Sequence, residues 1–343
     1  MGVDLSDLVE GEKKLVRDFA GQTAAIDAYN TIYQFLAIIR QPDGSPLMDS
    51  RKRVTSHLSG LLHRNLNLIE AGISPVYVFD GPPHRLKAGT IEERAQVKEK
   101  ARVEYAAALQ AGDLELARSK AQQTSKLTRE MVEESKTLLG LLGIPCVQAP
   151  SDGEAMAAHL VRLGRAAFVS SQDYDSLLFG APVLVRNLTI TGKRKLPRKQ
   201  IYVNIDPERT ELEGFLKALS ISREQLVGMC VLMGTDFNEG IRGIGPKKAL
   251  KLLADHGTLE KVIEAKGLDI PEWREVVRIF LEPDVSDPGP IAPGEPDARG
   301  VVDFLVGEHD FSRERVESPL ARLQGILEQK RNAGAQLRLD KWF

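Results

Sequence analysis

Three apolar stretches of this chain each end in an aspartate, and this pattern constrains the fold more than any other feature. The stretches are residues 24–27, 76–80 and 166–173. Short apolar runs that are separated by helical sequence are typical of buried strands in a parallel sheet covered by helices. Because the carboxyl ends of parallel strands open into one crevice, we expect the acids that follow them to lie close together.

Seven acids share this setting at the ends of apolar runs: Asp27, Asp80, Asp152, Glu154, Asp173, Asp175 and Asp236. So many carboxylates in one crevice would repel one another unless divalent cations compensate their charge. Oxygen ligands alone favour Mg²⁺ or Mn²⁺ over zinc, and Mg²⁺ keeps some of its waters. The set therefore predicts metal-assisted hydrolysis of a phosphodiester, with two cations roughly 4 Å apart.

Single members of this set also have structural interpretations. Ser151 and Glu154 fit a helix capping box, Asp27 fits a helix N-cap, and Asp80 fits a turn before Gly81. Two pairs at i,i+2 and three isolated acids in the same setting exceed what capping requires. We therefore prefer the metal-site interpretation for the set as a whole.

The composition is that of a globular chain, with 343 residues, 42% of them hydrophobic, and a formal net charge of −2. This length favours one large α/β domain with appended helical parts. Without the seven acids the remainder is net basic, so binding to a polyanion is permitted. The chain shows neither a membrane span nor a secretion signal, and we expect a cytoplasmic, nucleoid-associated protein, or a nuclear one in a eukaryote. Cys146 and Cys230 are interpreted as buried thiols.

The order of elements predicts an α/β fold with a helical insertion. Residues 22–27 and 75–79 are predicted strands with helices at 29–39 and 53–71 between them. Residues 84–130 contain ten Lys or Arg against seven acids and read as two polar helices that form an arch, with Asp113 capping the second. A solvated helical hairpin is the alternative.

Further strands are predicted at 144–148, 166–170 and 182–186, with a helix at 153–163. A basic hairpin is predicted at 191–199. It carries five cations, among them Lys193, Arg194 and Lys195, which we expect to bind DNA. Helices fill most of 206–281, a Pro- and Gly-rich loop covers 282–300, and a last helix spans 312–329. We see no internal repeat.

The segment 240–249 combines closely spaced glycines with two lysines directly before a helix. Such a turn exposes backbone N–H groups, so a phosphate can meet Gly243, Gly245, Lys247 and Lys248 together. This arrangement indicates a helix-hairpin-helix type of grip on the DNA backbone that is blind to base sequence. A plain turn between core helices would not require paired lysines.

The last residues, 331–343, form a polar tail that ends in aromatics. Gln336, Leu339, Trp342 and Phe343 can form one helical turn with an apolar plug for a partner. Docking of this tail onto the core of the same chain is the alternative.

With these residues in hand, the chain resembles the flap endonucleases of the structure-specific 5′ nuclease family, in their archaeal form. The resemblance covers nearly the whole chain. It is carried by residues 32–36 (IYQFL), 76–81 (VYVFDG), 149–155 (APSDGEA) and 241–247 (IRGIGPK). It implies a PIN-like α/β nuclease domain with a central, mostly parallel sheet, a helical arch and a helix-two-turn-helix element.

The resemblance also assigns roles to residues. The seven acids match the family's ligands for two Mg²⁺ ions, with Mn²⁺ as a substitute, and Lys87 and Arg94 match its basic pair at the scissile phosphate. Gly240, Ile241 and Ile244 match a K⁺ site formed by backbone carbonyls. Gly2, Tyr33, Arg40 and Arg64 match positions at the active site or on DNA. The tail residues match the box that binds the sliding clamp, proliferating cell nuclear antigen.

One motif departs from the family pattern, which has Glu-Ala-Glu where this chain has Asp152-Gly153-Glu154. Asp is one methylene shorter than Glu, so Asp152 is expected to reach its cation through water. Gly153 weakens the helix start by up to about 1 kcal/mol relative to Ala.

These observations predict a Mg²⁺-dependent 5′ flap endonuclease and 5′–3′ exonuclease of replication, including Okazaki fragment maturation, and repair. Its partners would be DNA with a 5′ flap or nick and the sliding clamp, and the chain would be a monomer. The domain division would be residues 1–83, 84–130 (arch), 131–220, 221–330 and 331–343. An exonuclease or gap nuclease is one alternative, and a non-catalytic junction scaffold, which would have lost several of the acids, is another.

Overall fold

A computed structural model of the chain describes residues 2–190, 192–195 and 202–339, with the backbone alone at 192–195, 202–204 and 330–339. Its strands are β1 Glu12–Lys13, β2 Thr23–Asp27, β3 Ser74–Phe79, β4 Cys146–Gln148, β5 Phe168–Ser170, β6 Val183–Arg186, β7 Gly192–Lys195, β8 Tyr202–Ile205 and β9 Glu208–Glu211. Its helices are α1 Ala28–Ile38, α2 Ser56–Glu70, α3 Ala88–Gln110, α4 Leu114–Gln123, α5 Arg129–Leu141, α6 Gly153–Arg162, α7 Asp175–Leu178, α8 Leu212–Leu219, α9 Arg223–Met233, α10 Pro246–His256, α11 Leu259–Lys266, α12 Trp273–Leu281, α13 Ala298–Val302 and α14 Arg313–Leu339.

One mixed sheet organises the chain. Its seven strands have the order β1-β9-β6-β5-β2-β3-β4. β2 with β5, β3 with β4 and β5 with β6 are parallel pairs, whereas β9 pairs antiparallel with both β6 and β1. β7 and β8 form a separate antiparallel hairpin at the predicted basic hairpin. The predicted α/β fold with a mostly parallel sheet is confirmed.

Burial on both faces explains the apolar runs of the central strands. Ala24, Ala25 and Ile26 of β2 are fully buried, as is Val78 of β3. α6 packs on β2 and β5, so its apolar residues complete the layer above the sheet. A strand covered by helices on its faces is continuously apolar rather than alternating.

The chain divides into two compact units. The first contains Met1–Thr31, Val76–Lys100 and Cys146–Ile291, and the second contains Ile32–Pro75, Ala101–Pro145 and Ala292–Phe343. The sheet and α6–α12 belong to the first unit. This division cuts the chain at other places than the predicted boundaries at 83, 130, 220 and 330, because it follows spatial contacts rather than changes in composition.

The second unit is built on α2, which packs against α5 and α14. Leu58, Leu62 and Leu66 of α2 lie at helical spacing and are buried. Gly60 on the same helix faces the ring of Phe35, and a Cβ at this position would collide with that ring. A glycine therefore lets two helices of this unit approach closely.

Several local features differ from the sequence-based expectations. The strands β1 and β9, at one end of the sheet, were not predicted, because their mostly charged sequences lack the apolar run of a buried strand. α14 continues to Leu339, ten residues beyond its predicted end. Cys146, expected to be buried, is exposed, whereas Cys230 is buried as predicted. No helix in the described residues is long and apolar enough to cross a membrane.

Candidate active site

The predicted acids collect at the carboxyl ends of the central strands in the first unit. Asp27 is the last residue of β2, Asp80 directly follows β3, and Asp173 lies in the loop after β5. β2 lies between β5 and β3 in the sheet. Three acids therefore come from three neighbouring strands at the edge where α/β folds bind their ligands.

Helix termini supply the other four acids. Asp152 is the N-cap of α6, and Glu154 lies in the first turn of that helix. Asp175 is the first residue of α7, and Asp236 lies just beyond the end of α9. The positive end of a helix dipole favours an acid in its first turn. The cap of α6 is Asp152 and not Ser151, so the capping box considered from the sequence is not formed.

Electrostatic interactions show that the acids form one cluster, which we call the acid cluster. Burial, with a contribution from Asp80, raises the pKa of Asp27 well above its usual range. Burial and Asp152 raise the pKa of Asp80 to about 6. Burial, with contributions from Asp173 and Asp236, raises the pKa of Asp175 to about 7. The protein thus holds more negative charge here than its own cations offset.

Glu154 shows the same kind of pKa shift as these aspartates. Burial, followed by the charges of Asp175 and Asp27, raises its pKa well above the usual range. Its Oε1 accepts a hydrogen bond from the Ser171 hydroxyl at 2.7 Å. The structure therefore brings together all seven acids that the sequence singled out.

Backbone N–H groups orient several carboxylates. Gly153 N donates to Asp80 Oδ1 at 2.6 Å, and Val3 N donates to Asp175 Oδ1 at 2.7 Å. Gly2 lies so close to Asp175 that a Cβ on it would collide with the carboxylate. The chain's N-terminal residues therefore lie against the acid cluster, as the resemblance implied for Gly2.

Asn30 and Ser171 hold the acids but were missed by sequence reasoning. The Asn30 side chain donates to Asp173 Oδ2 at 3.0 Å, and its backbone N–H donates to Asp27 Oδ1 at 3.0 Å. Its Oδ1 accepts from the backbone of Gln172 at 3.3 Å. A polar residue three positions after Asp27, inside an otherwise apolar helix start, was the available signal.

Two cations, Lys87 directly before α3 and Arg94 in its first turns, reach into the acid cluster. Lys87 Nζ contacts Asp152 Oδ2, and Arg94 donates to Asp236 Oδ1 at 2.5 Å. Burial would lower the pKa of Lys87, but Asp152 and the other nearby carboxylates raise it well above its usual value. Lys87 therefore carries a fixed positive charge. Its Nζ also lies 4.9 Å from the ring centroid of Phe237.

Two members of the acid cluster are paired with these cations. Asp152 and Asp236 pair with Lys87 and Arg94, while Asp152 also accepts the backbone N–H groups of its helix. Among the described residues, no three His, Cys, Asp or Glu side chains are placed to hold one metal ion together. All seven acids carry oxygen donors of the type that binds Mg²⁺.

The predicted grip on duplex phosphates forms a turn before α10. Gly243 has φ +82°, a conformation that favours glycine, and Gly245 is the N-cap with Pro246 at the first helical position. The first turn of α10 has no acid, whereas Lys247 and Lys248 are exposed there. Two cations at the positive end of a helix dipole are unfavourable without an anion.

The proposed K⁺ carbonyls lie in the same turn. Ile241 O accepts the N–H of Ile244 at 3.0 Å, so one of the three carbonyls already has a partner within the turn. Gly240 packs directly against the Met233 carbonyl, where a Cβ would collide. A glycine is therefore required at this position for the turn to close.

The sequence matches known families over most of this site. The XPG N-terminal domain matches residues 1–101, and the XPG I-region matches residues 143–236. Flap endonuclease 1 of Methanosarcina barkeri is 48% identical over 343 residues, with all of both chains covered. Flap endonuclease 1 of Aeropyrum pernix is 50% identical over 350 residues, again with both chains fully covered. The chain belongs to the flap endonuclease family.

Solved structures agree with this assignment. Flap endonuclease-1 of Methanococcus jannaschii superimposes with a TM-score of 0.77 at 39% identity, with 96% of this chain and 100% of that chain covered. The catalytic core of Rad2, solved in complex with DNA substrate, has the same fold, with a TM-score of 0.67 at 24% identity and coverage of 91% and 96%. As a flap endonuclease, this chain is a structure-specific 5′ nuclease that hydrolyses DNA phosphodiester bonds.

Three of the predicted DNA contacts of this flap endonuclease lie in the second unit. Arg40 donates through all three of its nitrogens to acceptors of that unit: Leu36 O at 2.9 Å, Gly44 O at 2.8 Å and Ser125 Oγ at 2.9 Å. Arg64 is half-buried on α2, and burial lowers its pKa. Tyr33 is half-buried on α1. Their roles on DNA stay predictions, and Arg40 has a clear structural role in addition.

Two predicted interfaces lie at the limits of the described residues. Lys193, Arg194 and Lys195 belong to β7, of which the structure describes the backbone. Gln336 and Leu339 belong to the last turns of α14, where again the backbone is described. Trp342 and Phe343 lie outside the described residues. The clamp-binding and basic-hairpin roles therefore stay predictions.

Proposed function

We propose that this flap endonuclease cuts DNA near the junction of a 5′ single strand and a duplex, with two Mg²⁺ ions held by the acid cluster. The observation that carries the proposal is the concentration of uncompensated carboxylate charge at the strand ends. Four of the acids have raised pKa values, with burial as the first cause and neighbouring carboxylates as the next. Buried acids that raise one another's pKa are typical of functional sites.

The donor chemistry of the acid cluster fits divalent cations. All proposed ligands are carboxylates, which suit Mg²⁺ and Mn²⁺, and the set contains no sulfur ligand. When bound, the two cations would supply an activated water and stabilise charge on the leaving oxygen. Asp152 already caps α6 with Oδ1, and its Oδ2 contacts Lys87 Nζ, so a cation or a water bound to that cation would share Oδ2 with Lys87.

Residues of the chain would position and stabilise the scissile phosphate. Lys87 and Arg94 lie at the edge of the acid cluster and would donate to the phosphate oxygens, where negative charge increases in the transition state. Asn30 and Ser171 would keep Asp173 and Glu154 oriented. The proposal contains no protein nucleophile.

Selection of the substrate would depend on shape. The turn before α10, with Lys247 and Lys248, would bind duplex phosphates, helped by K⁺ at the carbonyls of Gly240, Ile241 and Ile244. The basic hairpin and the arch would bind further phosphates of the duplex and the single strand. The same acid cluster would also support 5′–3′ exonuclease cleavage from a nick, so this activity is part of the proposal.

The C-terminal tail would bind the sliding clamp, with Gln336, Leu339, Trp342 and Phe343 as anchors, and the enzyme would act as a monomer in the cytoplasm, on the nucleoid. Deletion of residues 336–343 should spare cleavage of a flap but remove its stimulation by purified clamp. Stimulation that persists after the deletion would reject this part of the proposal.

Cleavage of a 5′-labelled flap duplex tests the main proposal. The wild-type protein should cut near the junction with Mg²⁺ and stop when a chelator is added. Asp173→Asn should nearly abolish cleavage while DNA binding remains. Glu213→Gln, an exposed acid on α8, is the matched control and should cleave normally. Normal turnover by the Asp173→Asn variant would refute the metal assignment.

Three substrates separate the flap activity from its nearest alternative. We would compare the product lengths from flapped, nicked and gapped duplexes at equal concentration. The proportion of each product then shows whether endonuclease or exonuclease cleavage is the stronger activity. A non-catalytic junction scaffold is disfavoured, because all seven acids are present and lie in one cluster.

A further inference from the structure

Lys87 lies in a short turn that has little internal support. The turn is one 3-10 helix, Arg85–Lys87, directly before α3. His84 caps it: its Nδ1 accepts from Leu86 N at 3.3 Å, and its carbonyl accepts from Lys87 N at 2.9 Å. A single turn of 3-10 helix has weak hydrogen-bond geometry. Contacts with other elements therefore decide where the Lys87 ammonium lies.

Those contacts join the turn to α12 of the same unit. Arg85 donates to both carboxylate oxygens of Glu272, at 3.1 and 2.5 Å. His84 Nε2 lies 3.8 Å from Glu275 Oε1. A guanidinium that binds both oxygens of a carboxylate fixes orientation as well as distance. The 3-10 turn is thus held at two points on one helix.

The Arg85–Glu272 pair is exposed, with 63% and 45% of the two side chains accessible. Exposed pairs add little to folding stability, because water and salt screen them. The geometry of the Arg85–Glu272 pair is therefore better explained by its effect on the position of the 3-10 turn than by its contribution to folding stability.

An aromatic ring links the same elements to the acid cluster. Phe237 directly follows Asp236, and its ring meets His84 edge-on with centroids 6.1 Å apart. It packs in the same way against Phe280 of α12, at 5.3 Å. Lys87 Nζ lies 4.9 Å from its centroid. A displacement of the 3-10 turn from α12 would therefore move Lys87 off this ring and away from Asp152.

We propose that Arg85 and Glu272 form a positioning pair that holds Lys87 at the acid cluster for flap cleavage. The inference rests on the proposed role of Lys87 at the scissile phosphate. Arg85 itself touches α12 and is not a catalytic residue; it acts through the turn that it shares with Lys87. A small misplacement of a catalytic group is enough to slow an enzyme strongly.

Charge exchange between the two positions tests the pair. Arg85→Glu and Glu272→Arg should each slow single-turnover cleavage of a labelled flap duplex about threefold to tenfold at saturating enzyme. The double exchange restores the ion pair in reverse and keeps the wild-type net charge. It should recover the rate to within about twofold of wild type. An exchange variant as slow as the single variants would overturn the pairing.

Arg274→Glu is the matched control on α12. Arg274 also forms an exposed pair, with Glu260, and stacks on Trp273 rather than on the 3-10 turn. The substitution makes the same change in net charge as Arg85→Glu. It should leave the rate within about twofold of wild type. Equal losses in both variants would show a general effect of charge on DNA binding and would overturn the inference.

A second background shows whether Arg85 acts through Lys87. Lys87→Met should slow cleavage about a hundredfold, and adding Arg85→Glu to it should change the rate no further. Additional slowing in this background would show that Arg85 acts independently of Lys87. Wild-type rates for Lys87→Met would instead refute the proposed role of Lys87 itself. The two failures are therefore distinguishable.

Discussion

The side-chain amide of Asn30 donates a hydrogen bond to the carboxylate of Asp173 at 3.0 Å. Asn30 lies in the first turns of α1, and Asp173 lies in the loop that follows β5. The backbone N–H of Asn30 also donates to Asp27. One residue thus joins the acids of two adjacent strands without contributing a charge of its own.

Asn30→Ala should therefore reduce cleavage although none of the proposed metal ligands is changed. The variant leaves Asp173 without its donor, and the mutual repulsion of the acids then displaces it. We expect about a tenfold lower single-turnover rate and a higher Mg²⁺ requirement, since the loss of a hydrogen bond to a metal-binding carboxylate typically has an effect of this size. Asn67→Ala, an exposed position on α2, is the control and should match wild type. A wild-type Mg²⁺ titration for Asn30→Ala would contradict the assignment.

The sheet and the acid cluster were predictable because both depend on local patterns in the sequence. A buried parallel strand must be apolar along its length, and the acid at its end marks where it opens to solvent, as in β2 with Asp27. The partners of the acids were not predictable in this way. Asn30, Ser171 and Phe237 acquire their roles from contacts across the fold, and the residue types themselves are common.

Strand β9 and the ion pair Arg85–Glu272 also depend on contacts across the fold. β9 has the sequence ERTE, which is a strand only because β6 and β1 pair with it. The pairing of Arg85 with Glu272 joins positions 187 residues apart. No local period or spacing encodes such a pair.

Gly153 gives a second prediction. The sequence suggested only that it weakens the start of α6, whereas the structure places it against Asp80. Its N–H donates to Asp80, and a Cβ at this position would lie 2.7 Å from Asp80 Oδ1. Gly153→Ala should improve the intrinsic helix preference of α6 by up to about 1 kcal/mol. It should also push the Asp80 carboxylate aside, and we expect weaker Mg²⁺ activation of cleavage.

Gly140→Ala is the matched control for this change. Gly140 lies inside α5 with no atom near the position of an added Cβ. This variant should be stabilised by about 0.5–1 kcal/mol in urea denaturation, with unchanged cleavage. If Gly153→Ala also left cleavage unchanged, the function of Asp80 would not depend on the close approach of its carboxylate to the start of α6.

Neutralising one acid should stabilise the protein in the absence of metal. Burial and the charges of Asp173 and Asp236 raise the pKa of Asp175 to about 7, so its ionised form is unfavourable in this fold. Asp175→Asn keeps an oxygen for the Val3 N–H and removes the charge. We expect a higher melting temperature in chelator at pH 8 and loss of cleavage.

Mg²⁺ should stabilise the wild-type protein more than the Asp175→Asn variant in that experiment. The wild-type melting temperature should rise with Mg²⁺ because the cation binds only the folded state. The rise should be smaller for Asp175→Asn. Equal responses to Mg²⁺ would show that Asp175 does not help to hold a cation, and this readout does not depend on activity.

His309 gives a pH dependence in the second unit. Burial lowers the pKa of its imidazole below the ordinary value of 6.5, although the carboxylate of Glu134, with Oε1 3.8 Å from Nε2, acts in the opposite direction. The folded protein therefore binds fewer protons here than the unfolded chain. This contribution to stability is present above pH 6.5 and is lost as the pH falls toward the lower folded-state pKa.

His309→Gln should remove this part of the acid sensitivity. Urea denaturation at pH 7.5 and 5.5 should show a smaller loss of unfolding free energy for the variant than for wild type. His256→Gln on α10 is the control and should follow wild type at both pH values. If the His309→Gln variant lost as much unfolding free energy between the two pH values as wild type, other groups would cause the acid sensitivity.

Lys247 and Lys248 provide the test of the duplex grip. Both lie in the first turn of α10, where the helix dipole already carries positive charge and no acid is present. In the proposed function, a DNA phosphate would relieve this repulsion. Lys247→Ala should weaken duplex binding at all base sequences alike, and the slope of log affinity against log salt should decrease by about 1. Lys266→Ala, an exposed lysine at the end of α11, should leave the slope unchanged. If both variants altered the slope equally, DNA binding would depend on the overall positive charge of the surface and not on the turn before α10.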